Sequence, residues 1–275
     1  MTHIQQSMLR ITLTLLVLVP VIFIAIVYFL QDLLLFHKIP SEPGIIRYNL
    51  NHYPNSEKTL TTPDGVKLHG WFVQDPSPKK HPLVFYFGGN ASNVEFIVAD
   101  KKYIPGISAC TFNYRGYGLS EGKPSEKKIV EDALLIYNSY KDNPNIDQNN
   151  IVIMGRSLGT GVAIQLAAKV DAAKLILVSP YDSMINTAYD HYPFLPIQMM
   201  LKNPFKSEDF IDKVKQKTLI IYGDQDQVVR PERTLALIKK FKVKPKVEVF
   251  QGRVHNDVFS DPNYWPVIND FILGE

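Results

Sequence analysis

The order of apolar runs along the 275 residues predicts an α/β fold: a mostly parallel central sheet with helices on both faces, preceded by one N-terminal transmembrane helix. Three observations carry this. Short apolar runs at 83–87, 107–112, 151–154, 174–178, 218–222 and 246–250 alternate with helical stretches, as repeated strand–helix–strand units do. Ahead of them, Asp64-Gly65 separates Lys58–Thr62 from Val66–Val73 and reads as a hairpin turn. Ile11 to Leu30 has 20 residues without a charge, a helix of ~30 Å that matches the hydrocarbon thickness.

Taken in order, residues 1–32 read as a retained signal anchor. No small-residue cleavage site follows the apolar run, and Pro20 is tolerated inside such a helix. Arg10 and the amino terminus favour a cytoplasmic N-terminus, with the remainder of the chain on the other side, while Lys38 and Arg47 after the span weigh the opposite way. Residues 33–57, with Pro40, Pro43 and Pro54, read as a linker, and 58–275 as one domain with room for a large core. Cys110 lies in the strand run 107–112 and reads as a small buried apolar residue. Being the one cysteine, it excludes an internal disulfide and a cysteine-based zinc site. Ser125, after Pro124, reads as the N-cap of a helix reaching Tyr140. Leu158 to Lys169 reads as a helix of small and apolar residues, and Tyr264 to Leu273 as the last helix. The stretch 180–216 is longer than an ordinary strand–helix connection and reads as a lid-like insertion.

The chemistry begins where the run Ile151–Met154 enters Gly155-Arg156-Ser157-Leu158-Gly159. A serine on a sharp strand-to-helix turn has strained backbone angles, and glycines two positions either side remove the collisions that side chains there would make. Ser157 is therefore the candidate nucleophile, with Gly155 and Gly159 forming its elbow. With this composition, chance supplies ~0.04 such patterns per chain before the strand–helix context is required. The same glycines, with Gly161 and the pair Tyr137 and Lys141, allow a dinucleotide-dehydrogenase reading, but the order is reversed and about 150 residues precede the turn.

A serine hydroxyl needs a base and a group to orient that base. Two histidines follow Ser157: His191, and His255 in the loop after the run 246–250. The loop after 246–250 suits a mobile base. For the acid, Asp224 and Asp226 both follow the run 218–222, with Asp182 an outside candidate after 174–178. The oxyanion needs two backbone donors: Leu158, next to the nucleophile, and Asn90 in the turn Gly88-Gly89-Asn90 after 83–87.

Gly88–Asn93, Asn113–Glu126, Gly155–Gly159, Gly223–Asp226, His255–Asp257 and Tyr192–Pro196 together resemble the Bem46-like α/β-hydrolases, in the right order from Lys58 to the C-terminus. The resemblance implies the α/β-hydrolase fold and a serine hydrolase acting on carboxylic (acyl) esters or thioesters of small-molecule or lipid character. Eukaryotic relatives include membrane-bound acylglycerol and lysophospholipid lipases and protein depalmitoylases. It selects Asp226 as the acid by motif position and leaves Asp224 as a turn residue. Two positions depart from the family: Gly88 stands where a histidine is usual, and Asn113 where an aspartate is usual. Arg115, Tyr114 and Tyr117 read as residues that hold and underpin their loop.

Within 180–216, His191, Phe194 and Met199 are candidate pocket residues. That segment reads equally as a lid that holds an acyl chain or touches the bilayer, or as a core helix with its apolar face inward. The same three catalytic groups also serve a peptidase, and the fold alone would serve a catalytically silent, membrane-tethered binding protein. A net charge of +3 with scattered basic residues argues against a nucleic-acid partner. No metal-binding or nucleotide-binding motif appears in the sequence, so no cofactor and no metal are expected.

Overall fold

In the computed structural model, residues 3–274 are described, apart from the side chain of Leu9. The amino terminus, which entered the orientation argument, lies outside them. Eight strands form one sheet in the order β1-β2-β4-β3-β5-β6-β7-β8. They are β1 (Glu57–Thr61), β2 (Lys67–Val73), β3 (His81–Phe87), β4 (Ser108–Phe112), β5 (Ile146–Arg156), β6 (Lys174–Val178), β7 (Lys217–Gly223) and β8 (Lys246–Phe250). β2 runs antiparallel to both its neighbours, and every pair from β4 to β8 is parallel.

Both faces of the sheet are covered, and the sequence shows why. Along β3, Leu83, Phe85 and Phe87 enter one buried cluster while Val84 and Tyr86 enter the other; in β5, Ile151 and Ile153 oppose Val152 and Met154. Period-two alternation with apolar residues on both sides is what a doubly covered parallel sheet requires. One face receives α4 (Glu126–Tyr140) and α5 (Leu158–Ala167), through Ile129, Ala133, Val162 and Leu166. Leu237 of α8 (Pro231–Ile238) joins the same cluster. The other face receives α9 (Tyr264–Leu273) through Tyr264, Ile268 and Ile272. α4 begins where its cap predicts: Ser125 Oγ accepts from Lys128 N at 3.4 Å.

α1 (His3–Leu35) contains Pro20 and is long and apolar enough to span a membrane. Its apolar stretch is exposed, but its end is packed. Gln31 and Phe36 are buried, and Phe36 meets Phe205 edge-on. The segment read as a linker is ordered structure: α2 (Pro43–His52) starts on Pro43, where a missing N–H costs nothing, and buries Asn49. Asn49 Nδ2 donates to the carbonyl of Glu95 at 2.8 Å, fastening α2 to α3 (Val94–Ala99). The insertion 180–216 holds α6 (Met184–His191), α7 (Ile197–Met200) and two 3-10 turns.

Candidate active site

β5 ends at Arg156 and α5 begins at Leu158, so the chain reverses at a single residue. Ser157 occupies φ 51°, ψ −121°, a strained position for a residue with a side chain. The flanking glycines make the turn possible. A Cβ on Gly155 would lie 2.4 Å from the carbonyl oxygen of Gly159; one on Gly159 would lie 2.1 Å from that of Phe87.

Ser157 Oγ lies 2.9 Å from His255 Nε2, and His255 Nδ1 lies 2.6 Å from Asp226 Oδ2. An ionised carboxylate only accepts, so Nδ1 carries the proton toward Asp226 and Nε2 turns its lone pair to the serine hydroxyl. The other Asp226 oxygen accepts from Val228 N and Val229 N at 2.9 Å each, which fixes the carboxylate. Asp226 and His255 are both buried. The chain thus brings together three side chains separated by up to 98 positions in sequence.

The two loops that carry Asp226 and His255 are locked to each other. A Cβ on Gly223 would lie 2.2 Å from the carbonyl oxygen of Arg253, so only glycine lets β7 end so close to the His255 loop. Gln225 N donates to that carbonyl at 3.0 Å, and Gly252 N donates to Asp224 Oδ1 at 2.6 Å. Asp224 therefore clamps the turn while Asp226 faces the imidazole. Asp182 points elsewhere: it accepts from Ser183 N and Asn186 Nδ2 and pairs with Arg233 at 3.3 Å.

The turn after β3 passes over Ser157, with the Cβ position of Gly89 3.4 Å from Ser157 Cβ. Asn90 Oδ1 accepts from three donors, Ala91 N at 3.0 Å, Tyr117 Oη at 3.0 Å and His37 N at 2.7 Å. Tyr114 Oη donates to the Gly88 carbonyl at 2.8 Å, so both tyrosines underpin the turn. Leu158 opens α5, where first-turn amides have no intrahelical acceptor and the helix dipole favours negative charge.

Arg115 is a buried hub beneath this loop. Its guanidinium forks onto Asp132 (Nη2–Oδ1 2.7 Å) and onto Asp64 (Nη1–Oδ2 and Nη2–Oδ1, both 2.9 Å). Those bonds raise the Arg115 pKa further above its ordinary value, and Arg115 holds the Asp64 carboxyl well below the usual carboxylate range. Burial pushes the Asp132 carboxyl up, and the guanidinium works against that rise. Asn113 connects Glu95 and the backbone of Val94: Nδ2 donates to Glu95 Oε1 at 3.2 Å, and Oδ1 accepts from Val94 N at 3.2 Å.

The remaining candidate pocket residues lie on the outside. Phe194 is 71% and Met199 88% exposed, and His191 Nε2 donates to the Val228 carbonyl at 2.9 Å. Two contacts had no sequence signal. Arg156 Nη2 donates to the His255 carbonyl at 3.0 Å and lies 3.2 Å from Asn256 Oδ1. The other is the His37 amide on Asn90. No group of three or more His, Cys, Asp or Glu side chains able to hold a metal occurs among the described residues.

On this fold and these residues, the chain belongs to the dienelactone hydrolase family of α/β-hydrolases, which it matches over residues 117–263. Among individual relatives, it is 32% identical to an uncharacterized protein of Mycobacterium tuberculosis H37Rv, over 72% of this chain and 71% of that one. It is 30% identical to protein bem46 of Schizosaccharomyces pombe, over 78% and 75%. The resemblance to Bem46-like hydrolases is thereby borne out. Est1E from Butyrivibrio proteoclasticus, solved with ferulic acid bound, superposes with a TM-score of 0.66 at 23% identity, covering 79% of this chain and 98% of that one. That likeness establishes the α/β-hydrolase fold.

Proposed function

We propose that this α/β-hydrolase is a membrane-anchored serine hydrolase that cleaves acyl esters or thioesters through an acyl-enzyme intermediate. The observation that supports it most is the continuous hydrogen-bonded chain from Ser157 Oγ through His255 to Asp226, at 2.9 and 2.6 Å. In this reading, His255 Nε2 takes the hydroxyl proton as Oγ attacks the acyl carbonyl. Asp226 holds the imidazole tautomer and stabilises the imidazolium. The amides of Leu158 and Asn90 receive the oxyanion at the N-terminus of α5, each donor contributing roughly 3 kcal/mol to the transition state. His255 then returns the proton to the leaving alkoxide or thiolate. In the second half, it activates water against the acyl-Ser157 bond.

Residues 1–32 serve as anchor, 33–57 as the approach, and 58–275 as the catalytic domain. The exposed surface and uncharged stretch 11–30 of α1 support the anchor. The charge around Arg10 supports a cytoplasmic N-terminus, with the catalytic domain on the far side. The test is hydrolysis of p-nitrophenyl esters of rising chain length, with a p-nitroanilide included, by wild type and by Ser157→Ala. Ester turnover that Ser157→Ala abolishes is expected. Equal turnover by both proteins, or preference for the anilide, would contradict the reading.

A further inference from the structure

The end of α1 is fastened to the rim of the active site. The apolar run of α1 is broken after Leu30, where Gln31 Nε2 donates to the Met200 carbonyl at 2.9 Å. Gln31 Oε1 accepts from Lys202 N at 2.7 Å, and Asp32 Oδ1 accepts from Asn203 Nδ2 at 2.9 Å. Lys202 Nζ lies 4.6 Å from the Tyr28 ring centroid. A tyrosine paired with a lysine at the end of an apolar span is the composition of a membrane–water boundary. If α1 crosses a bilayer, that boundary passes beside Met200.

The segment held there is suited to the same boundary. Residues 192–201 contain no Asp, Glu, Lys or Arg. Tyr192, Phe194 and Met199 are all exposed, Met199 most of all. The segment is also continuous with the site. His191 Nε2 donates to the carbonyl of Val228 in the Asp226 loop, and His37 N, seven residues beyond Leu30, donates to Asn90 Oδ1. The anchor's exit thus touches the acid loop through the α6–α7 segment and the oxyanion turn directly.

We propose that the α6–α7 tip, with Phe194 and Met199 foremost, is immersed in the headgroup–acyl boundary of the bilayer that α1 spans. The Ser157 site therefore opens at the lipid surface and takes an amphiphilic acyl ester or thioester out of that same bilayer. This rests on the anchored serine-hydrolase reading above and adds to it the source of the substrate. The anchor is a docking strut that fixes the height of the site, and the exposed apolar tip is covered by lipid.

The experiment uses the full chain in vesicles containing brominated phosphatidylcholine, which quenches tryptophan within the acyl region. Tryptophan is added singly by Phe194→Trp, Met199→Trp, Leu18→Trp and Val243→Trp, and wild-type emission from Trp71 and Trp265 is subtracted. Leu18 lies within the apolar run of α1, and the exposed Val243 precedes β8, at the sheet edge opposite Ser157. The added emission should fall at positions 194, 199 and 18 and persist at 243. Emission at 194 and 199 as bright as at 243 overturns the proposal, and so does unquenched emission at 18, which removes the anchor it depends on.

In the same vesicles, a fluorogenic long-chain acyl ester should be hydrolysed at least about tenfold faster when held with the enzyme than in separate vesicles, because sharing a bilayer raises its effective concentration. Equal rates, or no hydrolysis in either arrangement, overturn the claim about substrate source. Fluorophosphonate labelling of Ser157 in those samples reads the active-site assignment separately. A labelled protein quenched at 18 but not at 194 and 199 sinks this inference and leaves the anchored-hydrolase reading standing. A protein quenched at 194, 199 and 18 but unlabelled sinks the active-site reading, and the substrate source with it, and leaves the tip's immersion standing.

Discussion

Gly159→Ala would place a methyl group 2.1 Å from the carbonyl oxygen of Phe87 and 2.6 Å from that of Gly88, where real Cβ contacts begin near 3.0 Å. Both obstructing atoms are backbone, so no side chain can rotate out of the way. The turn carrying Asn90 and the first turn of α5 must separate by roughly 1 Å, and these are the segments proposed to hold the two oxyanion donors. A misplacement of that size costs on the order of 10² in rate. The overpacking itself costs about 1–3 kcal/mol, a fall in Tm of roughly 3–9 °C for a domain of this size. The assay is the second-order rate of fluorophosphonate labelling, with a thermal melt on each sample. Gly44→Ala is the control, since its new Cβ meets nothing nearer than Glu42 Oε1 at 3.9 Å. A Gly159→Ala protein that labels within about threefold of wild type (under 1 kcal/mol) and melts at the same temperature would refute the argument.

Other outcomes follow from the same geometry. Asp226→Asn should keep the fold and lower kcat for an ester by about 10⁴, because the imidazole loses its tautomer control. Asp182→Asn should change stability with kcat retained, and the reverse pattern would move the acid to Asp182. Arg115→Met strands the buried Asp132 carboxylate, costing about 3–5 kcal/mol, seen as a Tm drop on the order of 10 °C. Asp64 has a depressed carboxyl pKa in the fold, so its contribution is complete above the unfolded value near ~3.9 and is lost as pH falls below it. Asp64→Asn should therefore lower Tm at pH 7, and its difference from wild type should shrink as pH drops below about 4. Burial pushes the Cys110 thiol well above its ordinary value. A disulfide reagent should leave it unmodified in the native protein and modify it in denaturant.

The sheet was legible because its signal is local. Alternating apolar residues at 83–87 and 151–154 dictate strands covered on both faces, and the glycines around Ser157 announce a turn that tolerates nothing larger on either side. The His255 and Asp226 loops were legible as loops after strands, and the choice of Asp226 over Asp224 came from motif position. The contacts that join distant segments were not legible. Nothing in Gln31 or Asp32 foretells partners 169 and 171 residues away, and a backbone amide such as His37 N has no side-chain signature at all. Pro40, Pro43 and Pro54 suggested a linker, yet Pro43 opens α2, since proline is accommodated in a first helical turn. The second residue of the elbow, Arg156, varies freely by pattern, so its grip on the His255 carbonyl becomes visible only in three dimensions.

The most direct test of the central claim is peptide-level mass spectrometry of the full-length protein after brief exposure to a fluorophosphonate. One phosphonyl adduct, on the hydroxyl of Ser157 and absent from Ser157→Ala, is the predicted result. An unmodified Ser157, or an adduct elsewhere that survives Ser157→Ala, would contradict it.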